Sequence, residues 1–99
     1  MQIKSAAISF IPMPYAQRAV VSAKTHKECY EEVKHDWGIY LEVAPEKYSL
    51  VEGFILDDHT FVDRIEAMKI AKENDMISEL YMDDLVLFSY KIKEAKLNE

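Results

Sequence analysis

The stretch Gly53-Phe54-Ile55-Leu56-Asp57-Asp58-His59-Thr60-Phe61-Val62-Asp63-Arg64-Ile65-Glu66-Ala67 constrains the fold more than any other part of this chain. An apolar run, a polar turn and a helix start follow one another without a gap. Asp63 and Glu66 have the spacing of a capping box, in which the cap side chain accepts a first-turn amide and the acid reaches back to the cap. Thr60 competes for the cap position. The segment therefore predicts a strand, a turn and a capped helix, and it places Asp63, Arg64 and Glu66 together as a first candidate site.

Upstream, Gln2 to Ile11 alternates, with Ala6, Ile8 and Phe10 on one face, which predicts an opening strand stopped by Pro12 and Pro14. The β-branched run from Arg18 to Ser22 then pairs back on it as a hairpin. Thr25-His26-Lys27-Glu28 is a second capping box, and Cys29, Tyr30, Val33 and Trp37 form an apolar stripe at helical spacing behind it. Gly38 is placed to end this helix in a left-handed conformation.

Ile39 to Val43 suits a short strand, and Ala44-Pro45-Glu46-Lys47 a turn. The run from Tyr48 to Leu56 suits the central strand, with Leu50, Phe54 and Leu56 on one face and Val51 and Ile55 on the other. The second helix is expected to end near Asn74, burying Ile65, Met68 and Ala71 with Ala67 and Ile70 while Lys69, Lys72 and Glu73 face outward. Val86, Phe88, Tyr90 and Ile92 alternate and predict a last strand to about Lys93, before a frayed Glu94 to Glu99. No internal repeat or linker is visible. The expected order is β-β-α-(β)-β-α-β: an α+β single domain over residues 1–99, with two helices packed on a small, mostly antiparallel sheet.

Composition narrows the function classes. The 99 residues are 49% apolar, enough for one small core that oligomerisation would help. Twelve basic against 18 acidic side chains leave a net charge of -6, which excludes a general nucleic-acid binder built on basic stripes. Cys29 is the single cysteine, so an internal disulfide or a four-cysteine metal site is impossible, and a reducing cytoplasmic setting is expected. The sequence has neither a run of about 20 apolar residues nor a leader-like start, so no membrane association is expected.

Three groups of side chains are candidates for chemistry. Lys24, His26 and Lys27 surround the first helix start, where free amides and the helix dipole favour an anion, although a solvated helix start is the commoner outcome. Arg64 has the planar fork that grips a phosphate or carboxylate, but pairing with Glu66, Asp57 or Asp58 would occupy it. Of the eleven aromatic side chains, Phe61 and Tyr81 are best placed to stack on a base, and Asp83 and Asp84 to hold ribose hydroxyls. Cys29 three residues after His26 suggests a nucleophile and base, yet its place in the apolar stripe favours an inert thiol. Glu31, Glu32 and His35 are too non-specific for a metal site, so no metal or cofactor is expected.

The chain resembles a group of small bacteriophage-encoded proteins that share three signatures in order. These are matched by Lys24-Thr25-His26-Lys27-Glu28-Cys29, by Gly53-Phe54 with Phe61-Val62-Asp63-Arg64-Ile65-Glu66-Ala67, and loosely by Leu80-Tyr81-Met82-Asp83-Asp84-Leu85. Thr25 stands between Lys24 and His26 where the group has a basic residue beside His, and Met82 stands where it has Ser. The resemblance implies a non-enzymatic anti-defence protein of the host cytoplasm that sequesters a small anionic nucleotide signal, of the cyclic ADP-ribose or cyclic oligonucleotide type, as a homo-oligomer. Lys24, His26 and Arg64 would hold phosphate, Phe61 or Tyr81 a base, and Asp83 or Asp84 a ribose. The alternative is an acidic inhibitor that binds a host defence protein, recognisable by acids gathered on one face.

Overall fold

The computed structural model describes residues 2–77 and 85–87. Their elements are β1 (Ile3–Phe10), β2 (Ala19–Ala23), α1 (His26–Trp37), β3 (Val51–Leu56), β4 (Phe61–Asp63) and α2 (Arg64–Glu73). The strands form one sheet in the order β2-β1-β3-β4, and every neighbouring pair is antiparallel. The expected α+β architecture is therefore the observed one.

Register decides what each face of the sheet carries. Ala6 pairs with Ala23 and Phe54, Ile8 with Val21 and Glu52, and Phe54 with Val62. Residues directly opposite one another point the same way, so Ala6, Ile8, Phe10, Glu52, Phe54 and Val62 share one face. Both helices cover it. Cys29 and Val33 of α1 are buried with Ile8, Phe10 and Leu41, while Ala67, Met68 and Ala71 of α2 are buried with Ala6, Phe54, Met76, Ile77 and Leu87. Each large apolar side chain removed from water in this way contributes about 1.5–3 kcal/mol.

The chain is thus a β-β-α unit made twice, although the sequence has no visible repeat. Because β1 and β3 are antiparallel neighbours at the sheet centre, an approximate two-fold axis between them carries β2 onto β4 and α1 onto α2. At both helix starts the cap side chain accepts amides as expected, but the return bond expected from Glu28 and Glu66 is not made. The Thr25 hydroxyl accepts the Glu28 amide, and the Asp63 carboxylate accepts the amides of Ile65 and Glu66. Thr60 does not compete, since the strand β4 from Phe61 to Asp63 separates it from the helix start. Gly38 ends α1 at φ 68, in the left-handed conformation its missing side chain permits.

Four expectations change. Ile39 to Val43 is not a strand: the chain turns there, with the Val43 amide bonded to the Tyr40 carbonyl, and Leu41 enters the core as a lone anchor. The central strand begins at Val51 rather than Tyr48, because turn hydrogen bonds from Lys47, Ser49 and Leu50 hold the preceding residues and Ser49 has positive φ. A short β4 forms where a turn running straight into a helix was expected, so that Asp63 is both the last strand residue and the cap. Ile65 is 53% exposed instead of buried, since it lies off the arc formed by Ala67, Met68 and Ala71. Of the expected last strand, only Val86 and Leu87 fall within the described residues, and Leu87 is buried; residues 88–99 lie outside them.

Gly53 is required by close approach. A β-carbon there would overlap the Val62 carbonyl oxygen and crowd the end of the Phe61 ring, so only glycine lets β4 pair this tightly with β3.

Candidate functional site

The two helix starts obey the same local rule and aim at the same place. In each, a capping residue is followed by a basic one: Thr25 then His26, Asp63 then Arg64. The first side chain of each helix turns down toward the sheet, and both meet β3 at Glu52 and Gly53.

His26 Nε2 lies 2.7 Å from the Gly53 carbonyl oxygen, and its ring meets the Phe54 ring edge-on with centroids 5.0 Å apart. A carbonyl only accepts, so Nε2 is the protonated nitrogen and donates. Burial, joined by the Arg64 charge, pulls the imidazole below its ordinary value against the opposing pull of the Gly53 bond and Glu52. The ring is therefore neutral at pH 7.

Arg64 has a side chain only 13% exposed. Its Nη1 donates to the Leu87 carbonyl at 2.6 Å and its Nη2 to Glu52 Oε1 at 3.1 Å, while its own carbonyl accepts the Leu87 amide at 3.0 Å. Glu52 Oε2 accepts the Tyr30 hydroxyl. Burial pushes the Glu52 carboxyl upward, but the Tyr30 hydroxyl and the bond and charge of Arg64 outweigh it, leaving the group below its ordinary value. Burial and the neighbouring carboxylate push the Tyr30 hydroxyl strongly upward. The result is a clamp that joins α1, β3, α2 and the segment at Leu87 through an ionised carboxylate with a donor on each oxygen.

Glu52 and Tyr30 are the members that motif reasoning missed. Their signal was parity: Glu52 shares the helix-facing side of β3 with Phe54 and Leu56, and an acid on that side needs partners. Arg64 pairs with Glu52 rather than with Glu66, Asp57 or Asp58, because its side chain points under the helix instead of back across the turn.

The other expected site residues are dispersed. Lys24 is exposed just before α1. Phe61 pairs with Ile55 and covers Gly53, which puts it on the sheet face opposite His26 and Arg64. Tyr81, Asp83 and Asp84 lie outside the described residues. Cys29 is buried with Sγ 3.8 Å from the Ala6 carbonyl oxygen, and burial pushes its thiol up to about 12, so it stays protonated. Among the described residues, no three of His, Cys, Asp and Glu are grouped to hold a metal ion. No described helix is long and apolar enough to cross a membrane.

A two-layer α+β domain of this size, fastened by a polar clamp, defines a class of small proteins rather than an activity. Residues 2–92 match the family model of the phage T4 y16D protein, and the chain belongs to that family. No curated protein matches the chain, and no solved structure does.

Proposed function

We propose that this phage-family protein works in the host cytoplasm by binding rather than by turnover, and that it docks on a basic surface of a host protein through the outward side of α1. Glu28, Glu31 and Glu32 are all exposed, and their spacing gathers them on the side of α1 turned away from the core. Lys27 and Lys34 fall on the flank nearer Tyr30. Such a stripe on a chain of net charge -6 suits the surfaces that proteins use to hold nucleic acid. The observation that carries the non-catalytic half is the clamp, whose carboxylate, guanidinium and imidazole already serve internal partners.

Affinity capture from infected cells tests this reading. Wild-type protein is expected to retain a nucleic-acid-binding host protein with strong salt dependence, and the double variant Glu28→Lys/Glu32→Lys to lose it. Equal capture by both would remove α1 as the docking face.

A second reading, sequestration of an anionic nucleotide signal, draws support from one observation: His26 and Arg64, far apart in sequence, converge on the neighbouring β3 residues Gly53 and Glu52. Calorimetry with cyclic nucleotides and cyclic ADP-ribose decides it. Heat that disappears with Lys24→Glu supports it, and no heat at micromolar protein defeats it.

A further inference from the structure

Among the described residues, one end of the molecule carries most of the exposed large apolar side chains. Tyr15 is 105% exposed, Val43 83%, Met13 63%, Tyr40 59% and Trp37 47%. They belong together in space because β1 and α1 finish at the same end: the Phe10 and Trp37 rings meet edge-on at 5.4 Å. Met13 and Tyr15 follow Phe10 in the β1–β2 loop, and Tyr40 and Val43 follow Trp37. The Ile11 amide ties the two loops by donating to the Tyr48 carbonyl.

Charge separates this end from the rest of the chain. Across residues 11–18 and 34–50, Arg18, Lys34 and Lys47 balance Asp36, Glu42 and Glu46, so the whole net charge of -6 lies elsewhere. Two of these cations are already held against aromatic rings. Lys34 Nζ lies 5.7 Å from the Tyr40 centroid and 3.7 Å from Glu42, and Lys47 Nζ lies 5.5 Å from the Tyr48 centroid.

We infer that this aromatic end is where a second copy of the chain docks, two-fold and face to face. Two molecules of charge -6 repel each other in most orientations, and the end with no net charge is where they approach at least cost. Two-fold pairing lets each copy's lysines and arginine meet the other copy's acids around an aromatic centre, with one patch serving both partners. The internal two-fold adds a second argument. Met76, Ile77 and Leu87 complete the core around α2 from within the chain, whereas beyond the end of α1 Leu41 is buried but Tyr40 and Val43 reach solvent. This docking is independent of the host-binding face proposed on α1.

Sedimentation equilibrium over a concentration series tests the inference, with the emission of Trp37, the only tryptophan, as a local probe. Wild-type protein is expected to form a dimer, with Trp37 emission shifting to the blue and becoming less quenchable as the dimer forms. Tyr15→Asp and Val43→Asp alter strongly exposed side chains, so each should keep the wild-type circular dichroism while weakening dimerisation at least about tenfold. Glu28→Lys should leave association unchanged or stronger. A wild-type chain that stays monomeric at several hundred micromolar would overturn the inference. So would a dimer indifferent to Tyr15→Asp and Val43→Asp but lost with Val20→Lys, which would place the contact on the β2 edge.

Discussion

The two β-β-α units differ most in the chain beyond their helices. After α2, Met76, Ile77 and Leu87 return to the core, and Arg64 is bonded to Leu87 twice, through its backbone carbonyl and its guanidinium. After α1, Leu41 alone is fully buried while Tyr40 and Val43 reach solvent. One unit completes its core within the chain and fastens it with an ion pair. The other leaves an apolar end open. Approximate internal symmetry thus fixes where the helices lie without fixing how each is covered, because coverage depends on the loops.

Changing the residue that lets β4 join the second unit gives the largest expected effect. Gly53→Ala should cost about 3 kcal/mol or more, since backbone rather than a flexible side chain occupies the space. Urea unfolding checks this, and a loss below about 1 kcal/mol would mean that β4 moves away easily. The two converging basic residues come next. Arg64→Met strands a half-buried carboxylate and should cost about 2 kcal/mol, with much of that recovered in the double variant Arg64→Met/Glu52→Gln. His26→Gln, which loses one bond to a carbonyl, should cost about 1 kcal/mol.

Acid separates the contributions of these two residues. The His26 value in the folded protein lies below its ordinary 6.5, so the unfolded chain takes up a proton first, and stability falls as pH drops from 6.5 through the lowered value. The Glu52 value also lies below its ordinary 4.5, so its contribution is present above 4.5 and is lost as pH falls through the lowered value. Urea midpoints measured against pH should fall in two stages, and His26→Gln should remove the upper one. A flat profile between 6.5 and 4.5 would show that the imidazole is not desolvated.

The caps give the smallest effects that the comparison predicts. Thr25→Ala and Asp63→Ala should each cost about 1 kcal/mol, with Asp63 the larger because it serves two amides where Thr25 serves one. Equal losses would mean that the second amide bond contributes nothing.

Most of the scaffold is legible in the sequence because its signals are local. Thr25, Asp63 and Gly38 act on amides and dihedrals within a few residues, and the alternation of Ala6, Ile8 and Phe10 needs only a strand to make a face. The signals fail where the outcome depends on distant chain. Val51 to Leu56 reads as part of a longer strand, and only the turns at residues 44–50 shorten it. Phe61 and Val62, between the expected turn and the cap, carry no strand signal, and only Gly53 makes room for them beside β3.

The sequence by itself determined both helix starts, the opening hairpin, the α+β class and the inert thiol, since each rests on neighbours along the chain or on apolar periodicity. It also marked Gly53 to Ala67 as the stretch to watch. Only the tertiary structure decided that this stretch contributes Arg64 to a clamp and sends Phe61 to the other face of the sheet. The reason is register: one residue's step along a strand reverses a side chain's direction, and pairing with β1 and β3 sets which step is which.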